Sequence, residues 1–359
     1  MFVSTISESY SIPELIPQCD PLTLLATRIA PEKPLKLADV GTPRRTSTIA
    51  FAAAATLGSV GSAYIGARNL LIGQADQARR VIPHAWDIPP RADGVYAPGG
   101  GPVERWRRDV PFDLHLMVFG DSTATGYGAT SAEEVPGVLL ARGLAEVSGK
   151  RIRLSTKAIV GATSKGLSGQ IDAMFVAGPP PDAAVIMIGA NDITRPNGIR
   201  PSARRLGKAV RRLRAAGAVV VVGTCPDFGV ITAIPQPLRA VTRSRGLQLA
   251  RVQTAAVRAE GGVPVPLADL LAPHFRSTPD VLFSPDMFHP SGAGYALAAN
   301  QLLPALCNAL SDWLGGAAPE LPWRTRSGEG FALLARVGGF SRLWRRSTGV
   351  PAPIVASAS

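Results

Sequence analysis

A carboxylate and an imidazole lie three residues apart in the turn-rich segment 284–290, near the end of the chain. At this spacing the carboxylate of Asp286 can hold one nitrogen of the His289 ring and stabilise the ring when it is protonated. An imidazole held in this way can take a proton from a nucleophile and return it to a leaving group. Taken alone, a histidine in a loop is more often structural.

Three other candidate residues each follow an apolar run. Ser122 stands in the sequence Gly-Asp-Ser-Thr, at a turn where a hydroxyl would be exposed and backbone N–H groups would converge. Gly161 follows the next run, and a glycine there lets the backbone approach a ligand closely. Asn191 stands in Gly-Ala-Asn-Asp, and its amide can donate to a developing oxyanion. An Asp-Ser turn or an Asn-Asp helix cap is equally ordinary in isolation.

The elements that must position these residues alternate between strand and helix. Runs that are apolar at nearly every position occupy 114–119, 152–160, 183–188 and 218–222, which is typical of strands buried on both faces. Amphipathic helical patterns lie between them, so the sequence predicts a parallel sheet with helices on both sides. Ligands of such sheets bind outside the carboxyl ends of the strands, where all these candidate residues are expected.

The set of motifs resembles the SGNH hydrolases, also called the GDSL esterase and lipase family, over roughly 113–314. The family's blocks are Gly-Asp-Ser, a glycine, Gly-x-Asn-Asp and Asp-x-x-His, and all four are present. The first block reads Gly-Asp-Ser-Thr instead of Gly-Asp-Ser-Leu, which leaves the chemistry untouched. The resemblance implies a flavodoxin-like three-layer α/β/α sandwich with a parallel sheet. The family scheme gives Asp121 and Asp192 no chemical step, and we interpret both as structural caps.

The same resemblance implies a role for each candidate residue. Ser122 would be the nucleophile, His289 the general base and then acid, and Asp286 its orienting partner. The oxyanion hole would comprise the backbone N–H groups of Ser122 and Gly161 and the side-chain amide of Asn191. The implied reaction is hydrolysis of a carboxylic ester through an acyl-serine intermediate, with no metal and no cofactor.

Composition argues against several other classes of protein. The 359 residues carry a formal net charge of +12, but only 6% are aromatic and no zinc-finger or RNP signature is present. The basic run 204–214 has its apolar residues at helical spacing, so we interpret it as a solvated helix face. Three cysteines are too few for a disulfide scaffold. We expect no nucleic-acid partner, and a monomer that acts on a small-molecule or lipid ester.

The chain divides into five predicted segments. Residues 1–45 are expected to be disordered, and 46–67 form an uncharged run that is long enough to span a bilayer, which needs ~20 residues. An arginine pair precedes this run, which favours a transmembrane signal anchor or signal peptide; the alternative is a buried Ala-rich helix. An amphipathic helix and a Pro/Gly-rich linker fill 68–110. The hydrolase domain spans 111–316, and 317–359 form a flexible basic tail.

These observations predict a serine esterase or acylhydrolase that is anchored or exported and faces the cell envelope; a cytoplasmic location is the alternative. Its substrate would be a lipid or an acylated envelope carbohydrate. Two other functions stay open. An acyltransferase on the same scaffold would pass the acyl group to a sugar or lipid hydroxyl, and a non-catalytic membrane-associated module would only hold a ligand in the crevice.

Overall fold

The computed structural model describes residues 46–82, 88–91, 93–195 and 197–311. The segment predicted to be disordered, 1–45, and the predicted basic tail, 317–359, lie outside the described residues.

Six strands form one sheet. They are β1 Gly94–Tyr96, β2 Leu114–Gly120, β3 Ile152–Thr156, β4 Ala183–Met187, β5 Val219–Gly223 and β6 Val263–Val265. Their order across the sheet is β1-β3-β2-β4-β5-β6. Strands β2 to β6 are parallel, whereas β1 pairs antiparallel with β3 at one edge. All residues of the two central strands β2 and β4 are buried, as the apolar runs predicted.

Helices cover both faces of the sheet, so the predicted α/β class with a parallel sheet is confirmed. Short 3₁₀ turns occupy Ala132–Glu134 and Phe228–Val230. The helices are α1 Thr46–Val81, α2 Ser122–Thr125, α3 Pro136–Ser148, α4 Leu167–Ala177, α5 Ala190–Thr194, α6 Ile199–Ala215, α7 Leu238–Ala259, α8 Leu267–Ser277, α9 Pro279–Leu282 and α10 Gly292–Ala309.

Two apolar cores lie on opposite faces of the sheet because successive side chains of a strand point to opposite sides. In β2, Leu116 and Val118 belong to the core that also contains residues of α3, α8 and α10. Met117 and Phe119 belong to the second core, with residues of α4 and α6. The sheet therefore forms the middle layer of three.

The register of the central strands brings their carboxyl ends to one level. Gly120 at the end of β2 is the partner of Met187 in β4, and Met187 is the partner of Gly223 in β5. The loops that follow these three strands therefore begin side by side. The site residues that come after β2 and β4 start from this common edge.

The segment 68–110 differs from its prediction as a helix and a linker. Gly94–Tyr96 form β1, the edge strand beside β3. A Cβ on Gly94 would lie 2.6 Å from the carbonyl oxygen of Glu104, so the close backbone approach there requires glycine. Strand β1 has only three residues within a Pro- and Gly-rich stretch, which is too short for an alternating pattern to be recognised.

The C-terminal part of helix α1 packs against the domain that contains the sheet. Leu71 is buried in the core, and the side-chain oxygen of Gln74 accepts a hydrogen bond of 2.9 Å from the backbone N–H of Leu238. The first part of this helix contains the run 46–67, most of which is Ala, Gly, Ser and Thr. Within the described ranges, no helix is both long enough and apolar enough to cross a membrane.

Candidate active site

Ser122 stands at the first turn of α2, directly after a sharp bend at the end of β2. The bend is at Gly120, whose φ is +140°. A Cβ on this residue would lie 1.8 Å from the carbonyl oxygen of Met187, so no other residue fits. Asp121 caps α2, since its carboxylate accepts a hydrogen bond from the backbone N–H of Thr123. The bend holds the serine hydroxyl at the carboxyl edge of the sheet.

Ser122, His289 and Asp286 form one hydrogen-bonded chain. The Ser122 hydroxyl lies 3.0 Å from Nε2 of His289, although the two residues are 167 positions apart in the sequence. The Nδ1 atom of His289 lies 2.6 Å from Oδ2 of Asp286. An ionised carboxylate only accepts, so Nδ1 carries the proton and Nε2 is the acceptor for the serine hydroxyl.

The carboxylate of Asp286 is fixed by more than the histidine ring. Its Oδ1 accepts hydrogen bonds from the Ser284 hydroxyl and from the backbone N–H groups of Phe288 and His289, at 2.8 to 2.9 Å. Burial opposes ionisation, but the bonds from the His289 ring and the two backbone groups outweigh it. They lower the pKa of Asp286 to about 2, so this group is charged at neutral pH.

The turn that carries His289 is strained and tightly packed. Met287 has a φ of +52°, which is unusual for a residue with a side chain and allows the chain to wrap around the Asp286 carboxylate. The ring of Tyr127 lies against the imidazole of His289, with 4.5 Å between the ring centroids. Phe288 meets the same imidazole edge-on at 5.0 Å. These contacts limit rotation of the histidine ring.

Gly161 lies on the loop after β3, and Asn191 lies in α5, the helix that follows β4. Gly161 has a φ of +77°, a conformation that favours glycine. Asn191 belongs to the first turn of α5, and its side-chain nitrogen donates a hydrogen bond of 3.1 Å to the carbonyl of Ala162. This bond holds the Asn191 amide against the residue that directly follows Gly161. The second hydrogen of the Asn191 amide is left for another acceptor.

Buried carboxylates from two motif blocks tie the loops together. Asp192 accepts hydrogen bonds from the backbone and the hydroxyl of Ser164, both at 2.8 Å, and from Ser202 at 2.8 Å. The Asp121 carboxylate accepts a hydrogen bond of 3.3 Å from the backbone N–H of Gly189. Burial raises the pKa of Asp121. Both side chains hold backbone and neighbouring side chains in place.

Sequence reasoning missed two buried glutamines that hold the strand ends. The amide of Gln170 on α4 bonds to both the N–H and the carbonyl of Gly120, at 2.9 and 2.7 Å. The amide of Gln253 on α7 bridges the carbonyl of Ile188 and the N–H of Cys225, at 2.9 and 2.8 Å. A glutamine on an otherwise apolar helix face was the available signal, because a buried amide needs partners.

An apolar cavity of about 90 Å³ opens beside Ser122. Ser122 and His289 line it, together with Asp121 and Thr123 after β2, and most of the other lining residues come from the loops and helices that follow β4, β5 and β6. Its apolar wall includes Phe228, Ile231, Leu271, Phe275, Phe283 and Phe288. Among the described residues, no group of histidine, cysteine, aspartate and glutamate side chains could hold a metal ion.

Comparison with known proteins identifies the family. Residues 118–297 match the GDSL-like Lipase/Acylhydrolase family. The chain belongs to this family. It is also 71% identical over 282 residues to the GDSL-like esterase Rv1075c of Mycobacterium tuberculosis, a match that covers 79% of this chain and 90% of the relative. The resemblance seen in the sequence is thus confirmed, and this GDSL-family protein is a carboxylic ester hydrolase.

Solved structures related to this GDSL-family protein are more distant. A lipase/acylhydrolase from Enterococcus faecalis shares 22% identity, with 52% of this chain and 92% of that chain covered and a TM-score of 0.41. The acetylxylan esterase Axe2 from Geobacillus stearothermophilus, as a catalytic mutant, shares 19% identity, with 57% and 96% covered and a TM-score of 0.41. Similarity at this level says nothing about the substrate of this protein.

Proposed function

We propose that this protein hydrolyses a carboxylic ester by a Ser-His-Asp mechanism. The observation that carries the proposal is the hydrogen-bonded chain from the Ser122 hydroxyl through the His289 ring to the Asp286 carboxylate. A hydroxyl becomes an effective nucleophile when an adjacent base takes its proton, and the charged carboxylate stabilises the imidazolium that results.

The reaction proceeds in two halves. Ser122 Oγ attacks the ester carbonyl while Nε2 of His289 takes its proton. The carbonyl oxygen becomes an oxyanion, for which Gly161 and Asn191, with the N–H of Ser122, are the proposed donors. The C–O bond to the alcohol then breaks as the imidazolium gives its proton to the leaving oxygen. Water attacks the acyl-serine in the second half, with His289 again as base, and releases the acid and the free serine.

The apolar cavity is evidence that the buried part of the substrate is an uncharged acyl group. Its wall of phenylalanine and aliphatic side chains offers burial worth roughly 25 cal/mol per Å² of apolar surface, and it would leave a charged group without a partner. We therefore propose an ester with an aliphatic acyl group as substrate, either a lipid or an acylated envelope carbohydrate.

Hydrolysis of a chromogenic p-nitrophenyl ester series by the full-length protein tests this function. We expect turnover in the wild type and its loss in Ser122→Ala. Ser277→Ala, an exposed serine on α8, serves as the matched control and keeps full activity. Covalent labelling by a fluorophosphonate adds a second measurement, which should mark Ser122 alone. Full activity in a folded Ser122→Ala protein would remove the serine from the mechanism.

We propose separately that the catalytic domain is exported. Support comes from the uncharged run 46–67, the preceding Arg44 and Arg45, and the small residues at 61–63, of the kind that a signal peptidase accepts. Cleavage there would leave the docked Leu71 and Gln74 on the mature protein. A reporter that is active only outside the cytoplasm, fused after Pro102, should be active. A silent reporter beside a cytosolic full-length protein would refute export.

A further inference from the structure

We infer that Arg195 selects esters whose alcohol carries an anionic group. This inference rests on the proposed esterase function and adds the chemical class of the alcohol. Arg195 comes directly after α5, the helix that carries Asn191. One guanidinium nitrogen, Nη2, lies 3.9 Å from the position that a Cβ on Gly161 would occupy. A permanent positive charge therefore lies beside a proposed oxyanion donor.

The guanidinium of Arg195 is available to a ligand. Its side chain is exposed, and within the described part of the chain no carboxylate pairs with it. Asp192, three residues earlier, is buried and bonds to Ser164 and Ser202, and it makes no ion pair with Arg195 among the described residues. By contrast, Arg211 on α6 is paired with Glu260.

The surroundings of Arg195 add positive charge. The loop after β3, which contains Gly161, also carries the exposed Lys165. Arg205 on α6 contacts this loop through a hydrogen bond of 3.2 Å to the Ser164 hydroxyl. Clustered charges of one sign raise the local concentration of ligands of the opposite sign. The loop after β3 therefore has an excess of positive charge around it, whereas the wall of the cavity is apolar.

The geometry of an ester assigns the anion to the alcohol. The acyl and alcohol parts leave the planar carbonyl carbon in different directions. The apolar cavity lies among loops and helices that follow β4, β5 and β6, so an acyl chain placed there extends to that side of β2. The carbonyl oxygen meets the proposed donors Gly161 and Asn191, so an anionic group that contacts the Arg195 guanidinium beside Gly161 belongs to the alcohol. A guanidinium binds carboxylate, sulfate and phosphate groups through paired hydrogen bonds.

Two esters, one anionic and one uncharged, test the inference. They are the butyryl esters of 4-hydroxybenzenesulfonate and of 4-hydroxybenzenesulfonamide, which have the same acyl group and similar size. The measurement is kcat/KM for each ester with the full-length wild type, Arg195→Gln and Arg195→Lys, at low and high salt. Arg258→Gln is the matched control, because this exposed arginine lies at the far end of α7 and its loss changes the net charge equally.

We expect the wild type to prefer the sulfonate ester about five- to tenfold, as one exposed charge-assisted contact allows. The preference should fall to about one in Arg195→Gln, survive in part in Arg195→Lys, stay intact in Arg258→Gln and weaken in high salt. A preference that persists in Arg195→Gln overturns the inference. An equal loss of kcat/KM on both esters in Arg195→Gln also overturns it, because Arg195 would then act on the oxyanion. A wild type that shows no preference between the two esters overturns it as well.

The same assay separates this inference from the proposed function. Hydrolysis of the uncharged ester that disappears in Ser122→Ala supports the esterase, whatever the charge preference is. If the wild type hydrolyses neither of these esters nor any of the p-nitrophenyl series, the proposed function fails and the inference about Arg195 fails with it.

Discussion

Asp192 bonds to both the backbone N–H and the hydroxyl of Ser164, each at 2.8 Å. These two hydrogen bonds connect the loop after β3 to helix α5. The loop contains Gly161 and the helix contains Asn191, so a single buried side chain fixes the spacing of two proposed oxyanion donors. Asp192 would therefore affect the reaction only by positioning Gly161 and Asn191.

Asp192→Ala should therefore weaken both stability and turnover. The change leaves the buried donors of Ser164 and Ser202 without their acceptor, which costs about 3 kcal/mol in the free energy of unfolding. We expect kcat to fall by roughly tenfold or more as the donors lose alignment. Urea unfolding and steady-state kinetics measure the two effects. Asp172→Ala, which breaks an exposed pair with Arg212, is the control and should change stability by less than about 1 kcal/mol.

Asn191→Ala should lower kcat by about 10²- to 10³-fold, with a smaller change in KM. An oxyanion donor acts on charge that develops in the transition state, so its loss lowers kcat more than substrate binding. Steady-state kinetics with a p-nitrophenyl ester measures both constants. A change confined to KM would show that Asn191 only binds the substrate.

Asp286→Asn should lower kcat by roughly 10³- to 10⁴-fold, because an amide no longer compels the His289 ring to keep its proton on Nδ1. Binding of an unreactive substrate analogue should stay close to that of the wild type. A loss of less than tenfold, in a protein with an unchanged unfolding curve, would count against the carboxylate as the orienting partner.

His115 should make the protein less stable below neutral pH. Burial, followed by the nearby charge of Arg153, lowers the pKa of this histidine to about 4. The unfolded chain takes up a proton near pH 6.5, whereas the folded protein does not until about pH 4. The stabilisation is therefore complete above pH 6.5 and is lost as the pH falls towards 4, by about 3 kcal/mol in total.

Urea unfolding at pH 7.5 and pH 4.5 tests the role of His115, with the wild type compared with His115→Gln. The variant retains a partner for the Ser155 hydroxyl, which lies 2.9 Å from the histidine Nε2. We expect a steeper loss of stability in the wild type between these two pH values. Equal losses in both proteins would show that His115 does not titrate across this range.

The sheet could be predicted from the sequence because strands buried on both faces are apolar at nearly every position. The runs before Ser122 and Asn191 match β2 and β4, whose residues are all buried. The motifs also indicated which residues lie at the carboxyl edge of the sheet. In a parallel sheet the carboxyl ends of the strands lie at one edge, so residues that directly follow different strands are close in space. Strand β1 was missed, since three residues beginning at Gly94 carry no periodicity.

The supporting contacts of the candidate site could not be predicted for a different reason. The contact of Tyr127 with the His289 ring and the bonds of Gln170 to Gly120 join residues far apart in the chain. No local pattern marks such pairs, because they depend on how helices are placed over the sheet. The position of Arg195 beside Gly161 is of the same kind.

The antiparallel pairing of β1 with β3 covers one edge of the parallel part of the sheet. Gly94–Tyr96 occupy the outer side of β3, where a bare row of N–H and carbonyl groups would otherwise meet solvent. A shortened protein that begins after Tyr96 would keep Ser122, His289 and Asp286 yet offer β3 to any second molecule as a template for a further strand. We expect such a protein to form intermolecular sheets and to precipitate at high concentration, although the proposed catalytic residues are all present.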